Sequence, residues 1–338
     1  MKICLPRVAL ALMSLGIMVA PTHAGIVTFG TGSNSFTMEF VPIGDPGNAN
    51  DAAGDPNPAG SVGYTYDIGK FEVNQDMITK YNANFGTPNS QVIPFADLSA
   101  FGGNGPDKPA SGVSWNQAAR FVNWLNTSTG QAPAYNFLTS DVNDNIALWN
   151  ISDPGYDPSN QYRNRLAKYV LPSTNEWYKA AYFDPNKPGG GGYWIYPSGS
   201  DTTPTAVPIG TIAGTAVYDQ LYSQGPANVY QTGGLSPYGV MGLGGNVFEW
   251  EETSDDLYNN SGSSQRGVRG GAWFDGFPSS LSSSTRLSEY PDNDCQCYGF
   301  RVVSLNSSPP AAVPEPSMMV MGTLFGLGGL LAKRQTKK

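Results

Sequence analysis

The abundance of glycine and proline is the feature that most limits what this chain can fold into. The 338 residues include 41 Gly and 27 Pro, while 40% are hydrophobic and only 14% are charged. Glycine and proline interrupt helices and strands, so a loop-rich fold is favoured over a helical bundle. The chain is long enough to bury the core of one large domain or two small ones.

Three short helices and three strands are predicted within this irregular framework. Asn74 is a suitable N-cap for a helix through Asn82. Capping boxes begin two further helices at Ser114 and Ser173; the first is followed by apolar residues at helical spacing, and the second ends at an Asp-Pro pair. Alternating or clustered β-branched and aromatic residues predict strands at residues 36–42, 64–73 and 299–305.

Residues 1–24 have the pattern of a signal peptide. Lys2 and Arg7 precede an apolar run at residues 8–20, and small residues around His23 favour cleavage after Ala24. We therefore expect the mature protein to leave the cytoplasm. Cleavage would remove His23, the only histidine, so the mature chain would lack the imidazole of Ser-His-Asp and Cys-His catalysis and of His-ligated iron or zinc sites.

The C-terminal end also has the pattern of a sorting signal. Residues 307–316 are a linker that contains Pro314-Glu315-Pro316, and residues 317–338 comprise an apolar run and a basic tail. The apolar run has 16 residues. As a helix it would reach about 24 Å against a hydrocarbon core of about 30 Å, which leaves a short permanent anchor as one interpretation.

The order of triplet, short Gly-rich apolar segment and basic cluster resembles the PEP-CTERM sorting signal. That resemblance implies a short transmembrane sorting helix at residues 317–338, recognition by an exosortase, and cleavage near the triplet. With signal peptidase acting at the other end, the protein would be held briefly in the inner membrane. It would then reach the cell surface or the extracellular matrix.

The charge of the predicted mature chain narrows the class of partner. Residues 25–316 hold 13 Lys and Arg against 27 Asp and Glu, a formal net charge of −14 (13 − 27). Such a surface repels nucleic acid and anionic membranes. An exopolysaccharide or another surface protein remains as a candidate partner.

Six segments, in order, resemble the formylglycine-generating enzyme (sulfatase-modifying factor) family over residues 36–305. They are YDIGKFEV at 66–73, VSWNQAARF at 113–121, YVLPSTNEW at 169–177, GNVFEW at 245–250, RGGAW at 269–273 and GFRVV at 299–303. The resemblance implies one α+β domain at residues 25–306 with a C-type-lectin-like fold. That fold is irregular and loop-rich, with short helices and small antiparallel sheets.

The same resemblance locates a catalytic centre, which this chain has altered. Active family members hold copper(I) with two cysteines, and the corresponding positions here are Asp275 and Ser280. Neither side chain replaces a thiolate for this soft ion, and relatives that use an iron triad need histidines. We therefore expect no copper and no catalytic residue at these positions. A groove near Trp273, Asp275 and Arg286 is left as a candidate for carboxylate-based chemistry.

The calcium sites that the resemblance implies are retained in part. Asn228 and the main chain of Val229 match one site, and Gly245, Val247 and Glu249 match another, but Gly242 occupies a position where an acidic or amide ligand is expected. Two interpretations of Glu249 therefore stay open. It is a calcium ligand, or it is a buried carboxylate paired with an arginine or main-chain amides. We expect the nearby arginines to brace loops: Arg266, Arg269, Arg286 and Arg301.

Cys295 and Cys297 are the only cysteines of the predicted mature chain. A metal or redox site and a disulfide are the alternatives, and the disulfide is favoured because an exported protein meets an oxidising environment. Neighbouring Asp292 and Asp294 are expected to raise both thiol pKa values, so neither cysteine is expected to be a reactive thiolate.

These observations predict an exported surface or extracellular-matrix protein. Its family domain is expected to be non-catalytic and to bind or display a ligand or a polysaccharide. The alternative is an enzyme of the same family with an unrecognised, non-copper chemistry.

Overall fold

The computed structural model describes residues 25–85 and 90–305. The predicted signal peptide, the Pro-Glu-Pro linker and the sorting helix lie outside these residues. Within the described part of the chain, no helix is both long and apolar enough to cross a bilayer.

Three α-helices begin where the capping residues predict. They are α1 (Gln75–Asn82), α2 (Trp115–Ser128) and α3 (Thr174–Tyr182). The Asn74 side chain accepts a hydrogen bond from the main-chain N–H of Met77 at 3.0 Å. Both capping boxes are formed, at Ser114 with Gln117 and at Ser173 with Glu176. These local signals are sufficient to predict where each helix begins, because a capping side chain bonds to helix N–H groups within one turn of its own position.

Thirteen short strands are found in residues 25–85 and 90–305. They are β1 (Gly25–Phe29), β2 (Phe36–Ile43), β3 (Tyr66–Gly69), β4 (Tyr169–Val170), β5 (Phe183–Asp184), β6 (Gly192–Tyr193), β7 (Thr205–Ala206), β8 (Thr215–Ala216), β9 (Phe248–Ser254), β10 (Arg266–Arg269), β11 (Leu287–Glu289), β12 (Tyr298–Gly299) and β13 (Val303–Leu305).

The strands form small sheets joined by long loops. A five-stranded sheet has the order β1-β2-β3-β13-β4, a four-stranded sheet has the order β11-β10-β9-β12, and β5-β6 and β7-β8 are two-stranded. Most neighbours are antiparallel, but β12 pairs with β9 and β7 with β8 in parallel. The mixed α+β, loop-rich fold with few short helices and small sheets is therefore confirmed.

The strand predicted at residues 299–305 is wrong as a single element. β12 ends at Gly299 and joins one sheet, while β13 begins at Val303 and joins the other. Phe300 and Arg301 between them are fully buried, and Arg301 reaches Glu249 on β9. The chain buries these two side chains as it passes from one sheet to the other. This depends on tertiary packing, which strand periodicity in the sequence does not show. The predicted strand at 64–73 is likewise shortened to β3.

Strand β9 is the centre of the core and carries three fully buried glutamates. Each of them is paired with arginine: Glu249 with Arg301, Glu251 with Arg269 and Arg286, and Glu252 with Arg163. These pairs tie β9 to four separate loops and strands. The bracing role predicted for Arg269, Arg286 and Arg301 is confirmed, and Arg266 packs between the rings of Trp115 and Tyr162.

Candidate functional site

The turn after β10 brings together the two residues at the family's copper positions. Gly270 and Gly271 have positive φ angles of 95° and 79°. A Cβ atom added at Gly271 would lie 2.9 Å from Ser280 Oγ and 3.2 Å from Asp275 Oδ2. The turn thus needs glycine both for its backbone and for the room it gives these two side chains.

The Asp275 carboxyl group is held inside this turn. Its Oδ2 accepts the main-chain N–H of Ala272 at 2.9 Å. Burial raises the pKa of Asp275, while the hydrogen bond from Ala272 and the nearby Ser280 hydroxyl act in the opposite direction. The Ser280 hydroxyl donates to the carbonyl of Phe277 at 2.8 Å. The two positions are adjacent, and they present oxygen where the family resemblance implies sulfur.

The aromatic residues beside this turn connect it to the cysteine loop. Trp273 is fully buried, donates from Nε1 to the carbonyl of Tyr222 at 3.1 Å, and stacks on the Tyr222 ring with centroids 5.8 Å apart. The Tyr222 hydroxyl is in turn hydrogen-bonded to the side chain of Gln296, between the two cysteines. Cys295 and Cys297 therefore lie on the same side of the domain as Asp275. The negative charge of Asp275 contributes to raising the pKa of Cys297.

The two cysteines are free thiols in contact with one another. A hydrogen bond from the Cys297 thiol lowers the pKa of Cys295 to about 6, against burial and the charges of Glu289 and Asp294. The same contact and burial raise the pKa of Cys297. The prediction that both pKa values are raised is therefore wrong for Cys295, because a direct hydrogen bond outweighs nearby carboxylates. The disulfide stays a prediction.

Glu249 lies at the second predicted calcium position, and its carboxylate is fully engaged. Oε1 and Oε2 each accept a hydrogen bond from Arg301 at 2.5 Å, and Oε2 also accepts the indole N–H of Trp177 at 2.8 Å. The space at Gly242 is bordered by the carboxyl carbon of Glu72 and by Nη2 of Arg301, at 3.4 Å and 3.5 Å from a Cβ added there. A guanidinium group thus supplies positive charge here, and the interpretation of Glu249 as a buried carboxylate paired with an arginine is confirmed, while calcium stays a prediction.

The other residues of the two predicted calcium sites contribute main-chain contacts. Gly245 has a φ of 84°, and its N–H donates to the carbonyl of Gly270 at 2.7 Å. Val247 is fully buried. The Val229 N–H donates to the carbonyl of Asp107 at 2.8 Å, and Asn228 is half-buried beside it. Among residues 25–85 and 90–305, no group of three or more His, Cys, Asp or Glu side chains is arranged to hold a metal.

The residues of the predicted groove, Trp273, Asp275 and Arg286, have different contact partners. Trp273 is enclosed by other rings, as described above. Arg286 pairs with Glu251 at 2.8 Å and also contacts Asp255 at 3.4 Å. Within the described ranges it has no hydrogen bond or ion pair with Asp275. Arg286 therefore acts as a brace for β9.

An open groove lies beside α2, at a place where the sequence did not predict a site. It is a groove of about 360 Å³, and we call it the α2 groove. Six of its twelve lining residues are aromatic, with polar groups between the rings, and the wall includes Tyr81, Phe85, Arg120, Trp124, Phe137 and Trp149. The available signal was a polar stripe at helical spacing on α2, formed by Asn116, Arg120, Asn123 and Thr127.

Comparisons with known proteins agree with this fold. The model of the sulfatase-modifying factor enzyme 1-like domain matches residues 26–305. No curated protein matches the sequence. Variable protein 1 of Treponema denticola is 21% identical, with a TM-score of 0.53 over 83% of this chain and 99% of that one. CarF is 18% identical, with a TM-score of 0.53 over 80% of this chain and 98% of that one. PvdO of Pseudomonas aeruginosa is 18% identical, with a TM-score of 0.46 over 84% and 92%. The first two likenesses establish the fold alone.

Proposed function

This chain belongs to the family of sulfatase-modifying factor enzyme 1-like domains, and from that premise we propose that it is an exported binding protein without the family's copper oxidase activity. Its domain binds or displays a ligand at the cell surface or in the extracellular matrix, and the ligand class that we favour is a polysaccharide.

The observation that carries the proposal is the state of the two copper positions. Asp275 and Ser280 lie together where two thiolates would be needed, and the Asp275 carboxyl is bonded to the main chain of its own turn. Copper(I) prefers sulfur ligands, and hard oxygen groups do not replace them. A site with this donor set supports ligand binding better than oxidation of a substrate cysteine.

The α2 groove supplies the binding surface. Several aromatic rings and scattered amide groups line it, which is the composition of a site that packs against a small ligand and orients it with a few polar contacts. Trp149 is held in place by a hydrogen bond from its Nε1 to the carbonyl of Ala134 at 3.0 Å. The groove is thus partly preorganised.

The absence of oxidase activity is tested with the mature protein, copper and a sulfatase-type peptide that contains one cysteine. We expect no formylglycine by mass spectrometry, and a peptide with serine in place of cysteine sets the background. The variant Asp275→Cys/Ser280→Cys is the matched control, because it restores both thiols at the same positions. Turnover by the unaltered protein would overturn the proposal.

Polysaccharide binding is tested by retention of the exported protein on matrix polysaccharide from its native host. Trp149→Leu removes an aromatic surface of the α2 groove and should release the protein. Leu138→Ala is the control, because Leu138 is 81% exposed and is not part of the groove wall. Equal retention of both variants would count against this groove as the binding surface.

Export and sorting are tested on the protein made by its native host. We propose cleavage after Ala24 and near Pro314-Glu315-Pro316, as the two signals imply. Intact peptides from residues 333–338 on the exported protein would instead support a permanent anchor.

A second candidate function, an enzyme with non-copper thiol chemistry, is favoured by one observation. Cys295 is half-buried, its pKa is lowered to about 6, and it lies against a protonated partner, Cys297. Such a thiolate is a competent nucleophile at neutral pH. A substrate-dependent activity that is lost in Cys295→Ser would favour this candidate over the binding protein.

A further inference from the structure

Arg120 is a buried cation that forms no ion pair within the described part of the chain. It lies on α2 and is 8% exposed. Its Nη1 donates to the carbonyl of Thr139 at 3.2 Å, while Nε and Nη2 have no hydrogen-bond partner. The ring of Phe137 lies over the guanidinium, with its centroid 3.8 Å from the Cζ atom. No carboxylate of residues 25–85 or 90–305 is within ion-pair distance of it.

Arg163 shows what the same side chain does when it serves as a brace. Its Nε donates to Glu252, and its two Nη groups donate to Glu176, so two buried carboxylates neutralise it. The remaining donor capacity is used on the carbonyl of Leu171. Burying a charge without a carboxylate partner is costly, so a ligand that supplied one to Arg120 would gain binding free energy.

The two unpartnered nitrogens define the chemistry of a matching ligand. Nε–H and Nη2–H lie on one edge of the planar guanidinium and point the same way, which is the fork that a carboxylate accepts with both oxygens. Nη1, which belongs to the other edge, is already used by Thr139. The free edge is therefore the one suited to a bidentate carboxylate.

We infer that the α2 groove accepts a sugar unit with a single carboxylate, such as a uronic acid within a largely neutral glycan. The carboxylate is held by Nε and Nη2 of Arg120, and the sugar ring packs on the aromatic wall. Both nitrogens are covered from solvent, so the side chains that border them must shift as the ligand enters. This inference rests on the proposed function and names the ligand class of the same groove.

The surrounding charge limits the ligand to one carboxylate. Asp141 and Asp144 are close enough to Arg120 to raise its pKa against the effect of burial. The predicted mature chain also carries a formal charge of −14 (13 − 27). A polyanion would be repelled by these groups. A single carboxylate forms the bidentate contact with Arg120 and neutralises its unpaired charge.

The test compares two ligands that differ only at the carboxylate, methyl glucuronide and methyl glucoside. Binding to the mature protein is followed by tryptophan fluorescence, since Trp124 and Trp149 line the groove. We expect the glucuronide to bind about tenfold more tightly, because a charge-assisted bidentate contact is added. Arg120→Gln should abolish this preference, and Arg120→Lys should restore only part of it, since lysine keeps the charge without the fork.

The outcomes separate this inference from the function on which it rests. Equal affinity for the two sugars, absence of glucuronide binding, or a preference that survives in Arg120→Gln would overturn the inference. If the host polysaccharide still binds and Trp149→Leu still releases it, the proposed function stands without the acidic sugar. If the polysaccharide also fails to bind, both fall. Thermal melting of the Arg120 variants confirms that a lost preference does not reflect unfolding.

Discussion

Arg301 and Glu249 form an ion pair at 2.5 Å with both side chains fully buried. The pair joins β9 to the segment that crosses between the two main sheets, and Arg301 also donates to the carbonyls of Gly69 and Met241. The Arg301 guanidinium thus links its own segment to three other parts of the chain. Its charge occupies the neighbourhood in which the family resemblance implies calcium.

The first prediction is that calcium does not stabilise this protein through Glu249. A cation placed there would have to displace Arg301 and would leave that charge buried and unpaired. We expect millimolar calcium to change the melting temperature by less than about 1 °C relative to EDTA. Magnesium is the control for ionic effects. A rise of several degrees with calcium alone would restore calcium as a ligand of this region.

The second prediction compares the paired Arg163 with the unpaired Arg120. Arg163→Met leaves Glu176 and Glu252 buried without their cation, so it should lower the free energy of unfolding by about 3–5 kcal/mol. Arg120→Met removes a charge that has no carboxylate partner and should cost less than about 1 kcal/mol. Urea unfolding of both variants measures the difference. Equal destabilisation would show that Arg120 is a brace like Arg163.

The third prediction concerns the reduced thiols. Because the Cys297 thiol donates to Cys295 and lowers its pKa to about 6, alkylation of Cys295 should reach half of its maximal rate near that pH. Cys297→Ala removes the donor and should shift the midpoint upward, while Cys297→Ser keeps a hydroxyl donor and should shift it less. Rates are read by mass spectrometry across a pH series. A wild-type midpoint close to that of an ordinary thiol would contradict the lowered pKa.

The oxidation state of the same pair is a separate measurement. In material from an oxidising compartment, we predict that Cys295 and Cys297 are joined, since they are already in contact. Non-reducing peptide mapping decides this, and two thiols that stay free in exported protein would contradict it.

The fourth prediction concerns Glu72, whose pKa is raised well above its ordinary value of 4.5 by burial and by the charge of Glu249. The folded protein therefore holds a proton that the unfolded chain releases, so Glu72 favours folding at low pH. That contribution is lost as the pH rises from about 4.5 through the folded pKa. Glu72→Gln should thus gain stability relative to wild type at about pH 8 compared with about pH 5.

The control for Glu72 is Glu39→Gln, which removes a partly exposed ion pair with Lys70. Exposed pairs contribute little, so this variant should follow the wild type across the same pH range. A Glu72→Gln protein with an unchanged pH profile would show that the carboxyl stays charged in the fold.

Features that depend on residues close together in the chain could be predicted from the sequence. All three helices begin at their predicted caps because a capping side chain acts within three residues of its own position. The glycines of the turn after β10 and the six ordered motifs also identified the fold. Strands were harder to predict from the sequence. β9, for example, has residues buried on both faces, so its polar and apolar residues do not alternate clearly.

The partners of the charged groups could not be predicted from the sequence, because they are brought together by long-range folding. Glu249 and Arg301 are 52 positions apart, and Arg163 and Glu252 are 89 apart, so no local pattern distinguishes a brace from a ligand. The lowered pKa of Cys295 depends on how one thiol is turned toward another, and the α2 groove depends on loops that fold back over one helix. Composition and spacing are properties of the chain, whereas electrostatic compensation depends on distances that exist only after the chain has folded.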